Sequence, residues 1–461
     1  MRVVPILQSV NKSNCFFFVQ KRTFVLGFQK SNCLYKRQQK NWTKRYTHTR
    51  IKKEALLSLS LSLCRRFRRR RRTPRRKRKK MMLMLRKFFQ NVLLIFGLLL
   101  RLLRFLRVTW IVKFLRLLLF SALLLPAFVR IGWFYATDGR IERGVRYGKN
   151  ARNFLDVYVP REERRGEGKE EEDKDIEGEN KKQPLKPVVI FVTGGVWIIG
   201  YRVWGALLAK SLLEFGVITI CIDYRNFPQG VCGDMVEDVS NGIGFAVNKA
   251  KSLGGDPRKI NLIGQSAGAH LASLALFKQA SMKDNLKEKW HAKDIIGFVG
   301  ISGVYHPESE ELIAHFDKQG LHRKIFFSIM EAGFSGRHIE ALGRNSPSEM
   351  VKLIGVECAH VLPRFLLIHG EKDVSAPPFE SRNFAPTLAN AGISVMEKYY
   401  NAKGHVEPFI LDPILGRSED ILLEDLLTFI FRREGLSKTY KRQPLMRPRF
   451  IIELAKRVVP F

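Results

Sequence analysis

Acidic residues are almost missing from the first third of this 461-residue chain. Residues 1–80 carry 26 Lys and Arg against one acid, Glu54, and residues 81–133 carry eight against none. Beyond that the signs nearly balance, 46 basic against 42 acidic. The formal net charge of +37 therefore belongs to the N-terminal third. The remainder has no basic footprint for a nucleic acid, and none is expected as a partner. Cysteine is scarce too. Cys15, Cys33, Cys64, Cys221, Cys232 and Cys358 follow no repeating spacing and form no CxxC or Cys/His pattern. Neither a disulfide framework nor a metal site is expected, and reduced thiols in a cytosol-facing protein are. No motif indicates a cofactor. No uninterrupted apolar run reaches the ~20 residues of a membrane-crossing helix. Residues 134–461 contain no Asn-x-Ser/Thr acceptor, which fits a cytosolic catalytic part. Apolar material is plentiful, at 45% of the chain. It suffices for a sizeable core and excludes a wholly disordered chain.

Residues 1–80 read as a basic, low-complexity, disordered tail. Leu alternates with Ser from Leu57 to Leu63, and Arg65–Lys80 is a nearly unbroken basic run. A polybasic tether, a nuclear-localisation patch and an organellar transit peptide are the functional alternatives. The low complexity also predicts that the true start is Met81 or Met82. Residues 81–133 are a hydrophobic, membrane-associated helical segment. Its apolar stretches, Val92–Leu100 and Leu117–Val129, are separated by Arg101, Arg104, Arg107, Lys113 and Arg116. A Lys or Arg at mid-membrane costs ~2.5–3.5 kcal/mol, which disfavours one clean span. Two short spans with snorkelling arginines, or a helix pair lying in the headgroup layer, fit better. Aliphatic density with cations and no acids predicts attachment to a lipid bilayer.

From 134 to 433 apolar strands alternate with helices. Strand-like runs are 153–159, Val188–Val192, Val217–Ile222, Ile260–Ile263, Phe298–Ile301, Phe365–Ile368 and Val395–Tyr400. Helical stretches lie near 202–215, 234–253 (Asp234 as N-cap), 267–280, 376–392 and 418–433. Such alternation predicts an α/β fold, a mostly parallel sheet covered on both faces, with ligands at the carboxyl ends of the strands. Residues 161–186 are a charged, disordered loop. Residues 306–360 interrupt the rhythm as a cap-like excursion, and 434–461 form a basic amphipathic tail.

Gly264-Gln265-Ser266-Ala267-Gly268 follows a strand and opens a helix, the setting a nucleophile elbow requires. A serine hydroxyl needs a base. Asp373 and His405 follow in the order of an α/β-hydrolase triad, each just past a strand end. Glu371 is the rival acid. His270, His306, His315, His322, His360 and His369 are the rival bases, with His270 expected to be packed and His369 structural. Oxyanion donors are expected from Ala267 and from the Thr193-Gly194-Gly195-Val196-Trp197 loop, with Gly195 and Val196 giving N–H groups and Gly194 permitting the turn.

A family resemblance rests on these residues. The segment Val192–Tyr201 resembles the oxyanion loop of plant isoprenylcysteine methylesterases, which also place Thr before the glycines. Asp223–Gly230, Gly254-Gly255-Asp256-Pro257, Gly264–His270, Ser328–Glu331 and Val459-Pro460-Phe461 are similar too. The likeness spans roughly residues 100–461 and departs in 1–80 and 161–186. It implies an α/β-hydrolase fold and a serine carboxylesterase that removes the methyl ester from C-terminal prenylcysteine. It further implies an endoplasmic reticulum or Golgi membrane location, with prenylated, carboxyl-methylated protein C-termini as partners. On that reading Trp197, Phe326, Phe327 and Met330 contact substrate, and the three excursion residues line a prenyl groove. Replacing Phe326 should then raise KM for prenylated esters alone. A broader carboxylesterase, lipase or arylformamidase on the same scaffold is the enzyme alternative, since fold does not fix substrate. A receptor-like hydrolase lacking a triad member is the non-enzyme one.

Overall fold

β-Branched and aromatic runs bounded by turn residues become the strands, as their pleated half-buried setting favours. The computed structural model describes residues 108–161, 184–281, 290–354, 356–416, 420–433 and 449–459. The basic tail, the first apolar stretch, most of the 161–186 loop and the start of the C-terminal tail lie outside them. Eight strands are described: β1 Ile141–Arg146, β2 Phe154–Tyr158, β3 Lys186–Val192, β4 Ile218–Ile222, β5 Gly255–Gln265, β6 Gly297–Ile301, β7 Arg364–Gly370 and β8 Val395–Tyr400. They form one sheet in the order β1-β2-β4-β3-β5-β6-β7-β8. β2 runs antiparallel to β1 and β4, and β3 to β8 are parallel. β1 is absent from the sequence reading because Glu142, Arg143, Gly144 and Arg146 hide its alternation. Its register slips between Glu142 and Val145. At the other edge, β8 carries the exposed Glu397 and Lys398.

The helices are α1 Val108–Leu123, α2 Leu125–Thr137, α3 Ala206–Leu213, α4 Cys232–Ala250, α5 Ala267–Ser281, α6 Glu310–Gln319, α7 Arg323–Ile329, α8 Glu340–Arg344, α9 Pro347–Ile354, α10 Phe379–Asn390, α11 Asp412–Leu415, α12 Ile421–Phe431 and α13 Arg449–Val458. The N-cap of α4 is Val231, not Asp234. Asp234 stands three residues in, where its carboxylate accepts the Val231 N–H (3.1 Å) and so still satisfies a helix-start donor.

Strand alternation sends β3 side chains to two cores. Val188, Ile190 and Val192 face the larger one, with α4 and α5 residues such as Val239, Leu271 and Leu274. Val189 and Phe191 face the other, against Ala209 and Leu212 of α3 and Leu426 and Phe429 of α12. The excursion joins the larger core through Phe326, Ile329, Met330, Leu342 and Val351. A third cluster packs Phe120, Leu124 and Ala127 with Leu411, Ile414 and Leu415, and with Ile452 and Ala455 of α13. Among the described residues no single helix is long and apolar enough to cross a membrane. α1 and α2 meet that test only together, as a pair bent by 70°.

Candidate active site

The predicted triad and oxyanion residues sit at the carboxyl ends of central strands. Ser266 follows β5 and is held in the left-handed region, φ 54°. For a residue with a Cβ that costs roughly 1–3 kcal/mol, borne by the surroundings. The Ser266 N–H donates to Ile301 O of β6 (2.8 Å), and its carbonyl accepts the N–H groups of Ala269 (2.9 Å) and His270 (3.2 Å). Glycine is obligatory beside it. A Cβ on Gly268 would stand 2.6 Å from the Thr193 carbonyl oxygen, inside any permitted contact. Ala267 opens α5, so its N–H is among those a helix start leaves without an intrahelical partner.

The loop after β3 lies directly against this bend. A Cβ on Gly194 would come within 2.8 Å of Ser266 Cβ and 2.7 Å of the Gln265 carbonyl. Val196 and Trp197 follow with φ of 53° and 59°, two more left-handed residues. Three tethers from the segment after β4 fix the loop. Tyr224 Oη donates to Thr193 O (2.9 Å), Asn226 Nδ2 to Gly200 O (2.8 Å) and the Phe227 N–H to Trp197 O (2.8 Å).

Asp373 and His405 come together across the ends of β7 and β8. His405 Nδ1 donates to Asp373 Oδ2 at 2.7 Å. The other carboxylate oxygen accepts the N–H groups of Ser375 and Ala376, both at 2.9 Å. Burial opposes ionisation of Asp373, yet the imidazoles of His405 and His369 beside it, and the hydrogen bonds they donate, hold its carboxyl well below the usual range. It is thus a permanent anion that keeps the His405 proton on Nδ1 and frees Nε2 to accept. That Nε2 faces the elbow, 3.5 Å from Gln265 Nε2 next to Ser266. Ser266 and His405 are both 8% exposed, so the pair is screened but reachable. Glu371 is turned away, paired with Arg382 (2.5 Å).

His369 is structural in the sense expected but sits in the shell of the acid. Its Nε2 lies 2.8 Å from Ala376 O and 3.4 Å from Asp373 Oδ2, and its Nδ1 2.8 Å from Ser381 Oγ. Sequence reasoning missed Gln265, whose side chain lies between Gly194 and His405. It also missed the tethering role of Tyr224 and Asn226. Motif spacing names the reacting groups and is silent about their supports.

The expected substrate contacts fare differently. Trp197, Phe326 and Met330 are 1%, 0% and 0% exposed and belong to the core rather than to an open groove. Left-handed backbone at Trp197 swings the indole inward, where Phe316 and Phe326 meet it edge-on at 6.2 and 6.0 Å. Phe327 alone of the four is partly exposed. Among the described residues no group of three His, Cys, Asp or Glu could hold a metal ion.

The strand order, the antiparallel second strand and the strand-to-helix bend at Ser266 make the chain an α/β hydrolase. A family model described as BD-FAE matches residues 175–388. A probable isoprenylcysteine alpha-carbonyl methylesterase of Oryza sativa subsp. japonica is 40% identical over 82% of this chain and 84% of its own length. The isoprenylcysteine alpha-carbonyl methylesterase of Arabidopsis thaliana is 38% identical over 80% of this chain and 82% of its own. The esterase LipQ of Mycobacterium tuberculosis is more distant, 27% identical over 55% of this chain and 58% of its own. The chain belongs to the isoprenylcysteine alpha-carbonyl methylesterase family, and it is an ester hydrolase.

Proposed function

We propose that this chain hydrolyses the methyl ester of C-terminal prenylcysteine by acyl transfer through Ser266. His405 Nε2 takes the Ser266 proton as Oγ attacks the ester carbonyl. Asp373 holds the imidazole and stabilises the imidazolium. The N–H groups of Gly195, Val196 and Ala267 receive the negative oxygen, with Gly194 keeping the loop close. The imidazolium then protonates the departing methoxide, releasing methanol. Water, deprotonated by His405, cleaves the acyl-enzyme and leaves the free prenylcysteine carboxylate. No step calls for a metal or cofactor from the chain. The observation that carries this reading is 38–40% identity to isoprenylcysteine methylesterases along about 80% of the chain.

We place the enzyme on the endoplasmic reticulum or Golgi membrane, with the catalytic part toward the cytosol and prenylated protein C-termini as its partners. Exposed Phe114, Leu115, Leu118 and Trp133 on α1 and α2 support a bilayer contact. A lipid-anchored substrate is then already in the plane where the enzyme resides.

Methanol release from farnesylcysteine methyl ester, set against p-nitrophenyl acetate hydrolysis, tests the substrate. At least a tenfold higher kcat/KM for the prenylated ester is expected. Equal values would leave only a general esterase, as the likeness to LipQ would allow. Ser266→Ala should cost at least ~10³-fold in kcat on both substrates and abolish fluorophosphonate labelling. Retained labelling would move the nucleophile elsewhere.

A further inference from the structure

The excursion between β6 and β7 is wired to the oxyanion loop by hydrogen bonds, those of His270 buried, that the chemistry above does not use. Trp197 Nε1 donates to His270 Nδ1 at 3.1 Å. An acceptor at Nδ1 puts the ring proton on Nε2, which lies 2.7 Å from the Asn345 carbonyl and donates to it. Asn345 is an excursion residue. Its Nδ2 donates to Met330 O (3.0 Å) and to Glu331 Oε2 (3.2 Å). The same carboxylate oxygen accepts the Gly233 N–H (2.9 Å) at the start of α4. The segment leading into α4 closes the circuit, because the Phe227 N–H binds Trp197 O. Burial lowers the His270 pKa to about 4, so the neutral tautomer this line needs persists at neutral pH.

Trp197 matters because it directly follows Val196 in two consecutive left-handed residues, a conformation that persists only where the surroundings enforce it. The indole is the handle by which they do so. We infer that His270 is a positioning residue for the ester hydrolysis: by anchoring the Trp197 indole to Asn345, it sets the Val196–Trp197 backbone that aims the Gly195 and Val196 N–H groups at the developing oxyanion. The excursion is on this account a clamp on the oxyanion hole and not a separable lid. The inference rests on the serine-esterase reading of the site and is independent of the prenyl substrate.

The test uses p-nitrophenyl acetate and the full chain. His270→Gln keeps both bonds, since an amide oxygen can accept from the indole and its NH2 can donate to Asn345 O. His270→Leu fills similar space and keeps neither. Loss of one oxyanion donor typically lowers kcat ~10²–10³-fold, so a misaimed pair in His270→Leu should lower it ~10–100-fold with KM within about threefold. His270→Gln should return kcat to within about fivefold of the parent. Trp197→Phe, which removes the indole donor together with part of the ring, should lower kcat about 5–10-fold. It keeps the question open to refutation if His270→Leu does not fold. Equal kcat losses in His270→Gln and His270→Leu, or a Trp197→Phe kcat within twofold of the parent, would overturn the proposal while the esterase reading stood. A parent chain inactive on every ester, with Ser266 unlabelled by fluorophosphonate, would sink the esterase reading and this one with it.

Discussion

Two aromatic-rich, amphipathic regions of this chain meet opposite fates. In the excursion, Phe326, Ile329 and Met330 are wholly buried. In α1 and α2, Phe114, Leu115, Leu118, Leu125 and Val129 are 51–60% exposed and Trp133 71%. Both regions have apolar faces; what lies against those faces differs. The excursion is threaded between two central strands, and α9 packs on α5 and α10. Among the described residues the bent pair is covered by α13, by the residues that follow His405 and by Leu207 of α3, and the face carrying Phe114, Leu118 and Trp133 stays exposed. Periodicity reports that a face is apolar, not what will lie against it.

The sharpest way to break this contrast is Phe326→Ala. A fully buried aromatic cut to Ala should cost ~3–5 kcal/mol, read as a shifted urea midpoint. Its effect on turnover should be equal for prenylated and acetate esters. A selective rise in KM for the prenylated ester would return Phe326 to the substrate groove. Next in size is the buried imidazole of the same clamp. His270 titrates at about 4 in the folded chain, against an ordinary value of 6.5. The unfolded chain therefore binds this proton first as pH falls. The stability tied to neutral His270 is complete above about pH 6.5 and is lost between there and about 4, by on the order of 3 kcal/mol. Urea unfolding at both pH values should show a smaller difference for His270→Gln; identical differences would mean the ring is not desolvated. The smallest stability effect belongs to the exposed face. Leu118→Ser and Leu119→Ser should each change folding stability by no more than ~0.5 kcal/mol. Together they should weaken flotation with phosphatidylserine vesicles; undiminished flotation would show that this face is not the one lipid covers.

Much of this architecture was legible beforehand, for identifiable reasons. The central strands from β3 to β7 announce themselves as apolar runs with Gly, Asp or Ser at or just beyond their ends, and β8 as the mixed run Val395–Tyr400. Ser266, Asp373 and His405 each follow such a run, so their grouping at one sheet end needed only the parallel topology. β1 escaped because a glycine and three charges break its pattern. Trp197 was misplaced because its neighbours are the oxyanion glycines, whereas a left-handed φ turns its side chain into the core. Gln265 was not singled out, because it occupies a variable position of the G-x-S-x-G motif. Its contact with His405 depends on a fold-back that no local pattern encodes.

The finish of the sheet has a practical corollary. One outer strand is kinked by its register slip, and the other bears a carboxylate and an ammonium in the open. Neither offers a second copy a straight row of peptide groups to zip onto. Clumping of concentrated protein should therefore be greasy rather than amyloid-like, dispersing in mild detergent and leaving fibril dyes dark.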